Sequence, residues 1–415
     1  MGLDMQIKHM NSRRSFVTGF LLVACSALAT GQQLPAEVPR SEFHNGKATA
    51  SAADSTQSQH AILSLKSPLN YQVFQQHSRT QGTIRISGGL DADSREVQFS
   101  ISGKALAGER SLGWQPVRVD SQAHTFYAEV VVPAGGWYRL EVRAVKGAMN
   151  LGTRTVAHVG VGELFVVAGQ SNSSNHGSER QAPQSGMVAA FDGAQWQVAN
   201  DPQPGGSGRG GSFLPALGDA LAAKLGVPIG VVCVGVGSTS VREWLPKGER
   251  MTNQPTTGRH VRAIGPHEWE ATGELFDRLQ NRLAALGPQG CRALLWHQGE
   301  SDAGQARGGC PADRQISGEQ YAKFMQKLIQ STRAQAGWPI PWLVAQATYH
   351  SELDPADEEF RAAQAGLWRA GLAIEGPDTD ALRGEYRAGV HFNAKGLRQH
   401  GERWAEKIVS WLNHE

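Results

Sequence analysis

The sequence predicts an α/β fold with a parallel sheet, preceded by a small β-sandwich domain. Three observations predict it. Residues 60–159 carry short runs in which apolar and polar residues alternate, the period of strands with one buried face. From residue 160 to 415, short near-continuous apolar runs take turns with stretches whose apolar residues recur every three or four positions. That order, strand then helix, implies parallel strands covered by helices on both faces. Several of the apolar runs also break into glycine and polar residues, and the crevice beyond the carboxyl ends of such strands is where open α/β sheets place their chemistry.

Taken in order, residues 1–29 read as an export leader. Arg13 and Arg14 precede the apolar run 16–25, a pattern that resembles a twin-arginine signal. Leu22, Val23, Ala24 and Cys25 form a lipobox-like stretch that would place a lipid on Cys25. Ala27, Leu28 and Ala29 form an ordinary signal-peptidase site instead. The apolar run is too short to span a bilayer as a mature helix. The expectation is an exported protein, either a membrane-anchored lipoprotein or a periplasmic or secreted one. Residues 30–59 are rich in Ser, Ala, Gln and Pro without periodicity and read as a flexible tether.

The composition is that of a soluble globular protein, with 40% hydrophobic and 19% charged residues. The net charge of +2 falls close to zero once the leader residues Asp4, Lys8, Arg13 and Arg14 are removed. No basic surface for nucleic acid or anionic lipid is indicated. Cys233, Cys291 and Cys310 show neither a C-x-x-C spacing nor a nearby histidine ladder, so no metal centre is expected. Cys233 reads as a small core residue. Cys291 and Cys310 could pair in an oxidising compartment, closing the loop after the third motif described below.

Within residues 60–159, strands are expected over 82–87, 96–102, 125–132 and 137–144. Turns at Gly88-Gly89, at 133–136 and at Lys146-Gly147 separate them. This is the pattern of an immunoglobulin-like β-sandwich. In the second part, strands are expected over 164–168, 229–234, 293–296 and 342–345. Leu214, Leu217, Leu221 and Leu225 share one helix face, and Gly226 stops that helix. Leu275, Leu279, Leu283 and Leu286 repeat the pattern up to Gly287-Pro288. Ser317 with Gln320 makes a capping box for the next helix. The last helix follows Asn393 and carries Leu397, Trp404, Ile408 and Leu412.

Four stretches carry the chemistry. The first strand runs into Gly169, Gln170, Ser171 and Asn172. The second runs into Gly235, Val236, Gly237 and Ser238. The third runs into His297, Gln298, Gly299, Glu300, Ser301 and Asp302. His391 stands just before the last helix. A serine beyond a buried strand, glycines offering backbone N–H groups and a downstream histidine are the parts of nucleophilic acyl transfer.

These blocks, in this order, resemble the SGNH/GDSL hydrolase superfamily over residues 160–412, specifically its carbohydrate-esterase branch, the sialate O-acetylesterase-like and acetylxylan-esterase-like proteins. The resemblance implies a flavodoxin-like SGNH hydrolase three-layer sandwich behind the β-sandwich. It implies a serine esterase that removes O-acetyl groups from carbohydrates without cofactor, acting on an acetylated carbohydrate. Ser171 would be the nucleophile and His391 the base. The backbone N–H groups of Ser171 and of Gly237 or its neighbour Ser238, with the Gln298 side-chain amide, would hold the oxyanion; Gly235 rivals Gly237. The family places an aspartate three residues before the histidine, but here Ala388 stands there. The orienting acid is therefore expected from Glu300, with Asp302 next and Glu385 third. Asn172 would fix the serine loop. Arg242, Trp244, His267 and Trp269 would line a sugar subsite. Trp114 and Trp137 in the β-sandwich are read as packing aromatics before sugar platforms. Two rivals stand beside this reading: a binding module that has lost turnover, favoured by Ala388, and a lipase-like esterase or acetyltransferase of the same superfamily.

Overall fold

A computed structural model describes residues 63–91, 96–255, 257–304 and 310–414. The leader, the tether and Cys25 lie outside the described residues. The first eight strands are β1 (Leu63–Ser67), β2 (Gln72–Ser78), β3 (Gln81–Leu90), β4 (Glu96–Ala105), β5 (Gly108–Asp120), β6 (Thr125–Pro133), β7 (Gly135–Lys146) and β8 (Met149–Gly169). Alternation decides which side chains turn inward. Ile84 and Ile86 of β3, Val97, Phe99 and Ile101 of β4, and Leu140 and Val142 of β7 are buried, with polar residues between them on the outside.

Pairing follows a closed path. β3 pairs with β6, β6 with β5, β5 with β4, β4 with β7 and β7 with β8, all antiparallel. β8 then runs parallel to β2, which returns antiparallel to β3. Seven strands thus form a mixed barrel, and β1 adds to β3 outside the ring.

The remaining elements follow from β8. They are β9 (Val188–Phe191), β10 (Trp196–Val198), α1 (Leu214–Leu225), β11 (Ile229–Cys233), β12 (Arg250–Met251), β13 (Val261–Gly265), β14 (Glu268–Ala271), α2 (Glu274–Leu286), β15 (Ala293–His297), α3 (Gly318–Ala336), β16 (Trp342–Gln346), α4 (Glu358–Arg369), β17 (Ile374–Asp378), β18 (Arg387–Ala388), β19 (His391–Phe392) and α5 (Ala394–Leu412). β11 and β15 flank the second half of β8 in parallel. β9 joins β11, and β16 and β17 extend beyond β15, also in parallel.

The expected architecture is corrected here. A flavodoxin-like three-layer sandwich behind a separate β-sandwich is not what the chain forms. The first part is a closed mixed barrel, and it shares its last strand with everything that follows. Among the described residues, fourteen strands make one hydrogen-bonded network, and residues 59–415 form a single compact unit. The reason lies in β8, a strand of 21 residues. Its first half is largely exposed and its second half is buried without interruption from Val159 to Gly169. In sequence that change of pattern reads as a domain boundary. Physically it is one strand leaving a half-solvated barrel wall and entering a sheet covered on both sides.

Alternate residues of that buried half reach two cores. Phe165 and Val167 join the core of Leu217 and Leu221 on α1 and Trp404 and Ile408 on α5, continuous with the barrel interior. Leu164 and Val166 join Leu275 and Leu279 of α2 and Leu328 of α3. Helix ends follow local rules. Gly226 closes α1 at φ 70°, Ser317 and Gln320 complete the capping box of α3, and the Asn393 side chain accepts from Gly396 N at the start of α5. Cys291 and Cys310 form no disulfide. Cys291 is buried just before β15 begins, whereas Cys310 lies beyond its far end, on the cleft described next. Among the described residues no helix is long and apolar enough to cross a membrane.

Candidate active site

The cleft opens at the carboxyl ends of β8, β11 and β15 and has a volume of about 320 Å³. Its shape at Ser171 is set by Gly169. This residue ends β8 at φ +126°, and a Cβ there would stand 2.0 Å from the carbonyl oxygen of His297 on the adjoining strand. Only glycine permits that approach. The chain then turns sharply into the 3₁₀ turn Ser171–Ser173, held by Ser173 N donating to Gln170 O at 2.9 Å. Gly169→Ala is expected to lower stability by more than about 4 kcal/mol, because the clash is with the His297 backbone and the residue sits at positive φ. Thermal melting tests this, and a soluble variant melting within about 2 °C of the parent would show that the backbone yields cheaply.

Ser171, Asn172, Glu300 and His391 all line this cleft, with Gln170, Ser238 and Tyr349 among its other walls. His391 begins β19 of a two-stranded hairpin in which Ala388 sits directly opposite it. Arg387 stiffens this hairpin. It donates to the carbonyls of Thr379, Leu382 and Val390 and is sandwiched between the rings of Tyr349 and Phe392. Asn172 Nδ2 donates to the same Val390 carbonyl at 3.2 Å and to Glu300 Oε1 at 2.9 Å. Asn172 therefore ties the serine turn to both the acid and the histidine hairpin.

Glu300 is buried. His297 Nε2 lies 3.1 Å from its Oε1, while Oε2 is buried and has no hydrogen-bond partner among the described residues. Burial pushes this carboxyl up, yet the charge of His297 and hydrogen bonds from His297 and Asn172 more than offset that and hold it below its ordinary value. Burial lowers the pKa of His391 below the usual histidine value; the Glu300 charge opposes this and the Arg387 charge adds to it. Among the described residues no hydrogen bond joins His391 to Glu300 or to Ser171. The ring of His176 packs 5.4 Å from that of His391.

The backbone donors sort themselves by what they already bind. Ser171 opens the turn, where N–H groups have no partner within it. Gly237 N is taken by Ser207 Oγ at 2.8 Å. Ser238, its neighbour, faces the cleft at φ +61°, a left-handed conformation unusual for serine. Gly235 is needed for packing, since a Cβ would meet Ser173 Oγ at 2.1 Å.

Other expected residues lie elsewhere. Gln298 does not face the cleft: it is fully buried, and its amide Nε2 donates to Thr239 O and to Asp302. Asp302 is likewise internal, accepting from Ser240 Oγ at 2.6 Å and Val241 N at 2.8 Å and pairing with Arg242. Arg242 and Trp244 are fully buried, so they line no subsite. Arg242 also donates to the carbonyls of Asn253 and Arg314, and Trp244 Nε1 to Thr239 Oγ1. His267 occupies the exposed turn between β13 and β14, and Trp269 of β14 packs against the second core; neither lines the cleft. Glu385 pairs with Lys395 at the surface. Trp114 is part-exposed beneath Arg143, and Trp137 donates to Gly186 O.

The residue overlooked in sequence is Gln170. Its Oε1 accepts from Ser301 N at 2.9 Å and Gly299 N at 3.4 Å, which fixes the side chain at the cleft wall. Its position between the strand-ending glycine and the serine was the available signal.

A buried serine turn, a histidine hairpin and an acid meeting in one cleft are parts of an ester hydrolase. The chain belongs to the carbohydrate esterase family described as sialic acid-specific acetylesterase, whose model matches residues 161–410. Its activity class is thus carbohydrate esterase. In fold it is similar to a carbohydrate acetylesterase from Xanthomonas citri, with a TM-score of 0.51 and 17% identity over 85% of this chain and 76% of that one. A protein from Arabidopsis thaliana aligns with a TM-score of 0.42 and 20% identity, over 60% of this chain and 98% of that one. No curated protein matches the sequence.

Proposed function

We propose that the protein is an exported serine esterase that removes O-acetyl groups from carbohydrates through an acetyl-enzyme. The observation that carries this reading is the convergence of Ser171, His391 and Glu300 on one cleft in a member of a carbohydrate esterase family. A ring nitrogen of His391 takes the Ser171 hydroxyl proton as Oγ attacks the acetyl carbonyl. The developing oxyanion is met by the N–H groups of Ser171 and Ser238, with the Gln170 amide beside them. Collapse returns the proton to the departing sugar oxygen and leaves acetyl-Ser171. Water, deprotonated by His391, then releases acetate and restores the hydroxyl. In the reacting complex the His391 ring turns toward Glu300 Oε2, which holds no hydrogen bond among the described residues, and Glu300 orients it there. A cleft of about 320 Å³ lies at the small end of ligand sites, in keeping with an acetylated sugar unit and not a long acyl chain. Export rests on the Arg13-Arg14 leader, which also offers Cys25 for lipidation.

The test is acetate release from a panel of acetylated polysaccharides, compared with hydrolysis of short and long aryl esters. Acetate esters are expected to turn over and long-chain esters are not; the reverse order would overturn the assignment. In the same assay kcat/KM should fall only as pH drops through a value below 6.5, the ordinary histidine pKa, since a base must be neutral and burial favours the neutral ring. An acid limb above pH 7 would remove His391 as the base. One observation favours a second reading, a glycan-binding protein of low turnover: Ala388 stands where the family's acid belongs, and His391 makes no hydrogen bond to Glu300.

A further inference from the structure

The turn that carries Ser238 is held at nearly every peptide group. Val236 N donates to Gly169 O at 3.0 Å and Gly237 N to Ser207 Oγ at 2.8 Å. The carbonyls of Gly235 and Val236 accept from Ser207 N at 2.9 Å and Thr239 Oγ1 at 2.8 Å. The carbonyl of Gly237 accepts from the guanidinium of Arg259, in the loop between β12 and β13. Ser238 N makes no hydrogen bond among the described residues. Thr257 of the Arg259 loop lines the cleft, whereas Arg259 does not. That loop is fixed from inside the protein. The fully buried Glu243 accepts from Arg259 N at 3.1 Å and His260 N at 3.3 Å through one oxygen, and from Ser240 N at 2.9 Å through the other.

Gly237 O and Ser238 N belong to one peptide unit. The unit is planar and trans, so its C=O and N–H point in opposite directions. We propose that Arg259 is a positioning residue for the oxyanion hole: by holding the Gly237 oxygen away from the cleft, its guanidinium turns the Ser238 N–H toward the oxygen of the tetrahedral intermediate. This rests on the reading of the Ser238 N–H as an oxyanion donor. The backbone of Ser238 supports it. Turning that peptide over would exchange its oxygen and N–H and take Ser238 from φ +61° to a negative value, as in the passage from a type II to a type I turn. The left-handed value costs a serine free energy and persists only where the surroundings enforce it. Arg259 supplies the enforcement, since a guanidinium can donate to the peptide oxygen but cannot accept from the N–H of a flipped peptide. A charged donor on the oxygen also polarises the peptide and strengthens its N–H as a donor.

The experiment uses the full chain. Arg259 is exposed, so Arg259→Met should fold and melt as the parent does. Its kcat on an acetate ester should fall about tenfold to a hundredfold. KM should change by less than about twofold, because the oxyanion exists only after attack. Arg259→Lys, which still donates to the Gly237 carbonyl, should keep about a third of turnover or more. Methylboronic acid, whose anionic tetrahedral adduct with serine mimics the intermediate, should bind Arg259→Met about tenfold more weakly or worse. A parent-like kcat in Arg259→Met, a loss that appears in KM alone, or a lysine variant no better than the methionine one overturns the proposal. Replacing Ser238 by its α-hydroxy acid puts an ester oxygen where the N–H stood and separates the proposal from the reading beneath it. That enzyme should lose about 10²-fold or more in kcat. If it is unimpaired, the Ser238 N–H is not a donor. If it is impaired beside a parent-like Arg259→Met, the role of Arg259 alone is rejected.

Discussion

Ser171→Ala should abolish acetyl-ester hydrolysis, with kcat falling by at least about 10³-fold while the fold and its melting temperature are kept. Removal of the hydroxyl deletes the only atom that can form the acetyl-enzyme. It leaves the oxyanion donors, which are backbone and Gln170, in place. The side chain makes no hydrogen bond that the turn depends on: Ser173 and Ser174 hold the turn through the carbonyls of Gln170 and Ser171. Stability should therefore change by less than about 1 kcal/mol. A folded variant retaining more than a few per cent of turnover would show that Ser171 is not the nucleophile.

Glu300→Gln should cost about 10²-fold or more in kcat, because the amide replaces an anion beside His391. Ala388→Asp is the informative partner. Residues directly opposed in a hairpin have Cβ atoms about 5 Å apart, so an aspartate at 388 would reach the His391 ring from the side the family uses. If Glu300 already orients the ring, Ala388→Asp changes kcat by less than about threefold, roughly 0.7 kcal/mol. If no acid does so, the same substitution should raise the rate tenfold or more and Glu300→Gln should be nearly silent. Steady-state kinetics on an acetate ester distinguishes the two, and the second pattern would move the protein to the glycan-binding reading.

Buried runs that break into glycine and polar residues mark strand ends, but a serine after a strand is more often a turn or cap residue. It was the resemblance of the blocks to the carbohydrate-esterase branch that implied Ser171, Asn172, Glu300 and His391, which do meet at the cleft. The misplaced residues share a cause. Arg242 carries a charge and Gln298 and Asp302 are polar, so each suggests a wet site. All three instead bond to one another and to Ser240 inside the protein, a matching across elements that no sequence pattern shows. The same effect hid α4. Its buried face is Phe360, Gln364 and Leu367, and the polar Gln364, which bonds Ala347 N and Gln298 O, interrupts the apolar period. The barrel was hidden for another reason. Alternation marks a strand with one wet face, but it does not say whether the sheet stays open or closes on itself.

The strand β8 has a consequence for descent. The segment that the family shares starts at residue 161, in the middle of a continuous strand whose earlier half is a stave of the barrel. What is inherited as a family and what folds as a body therefore have different borders here. A cut at the familial border would remove β7 and β2, the partners of β8 up to residue 162, and leave the serine-bearing half between β11 and β15 alone. The barrel is built into the strand itself: any replacement must supply strands in register with residues 159–162.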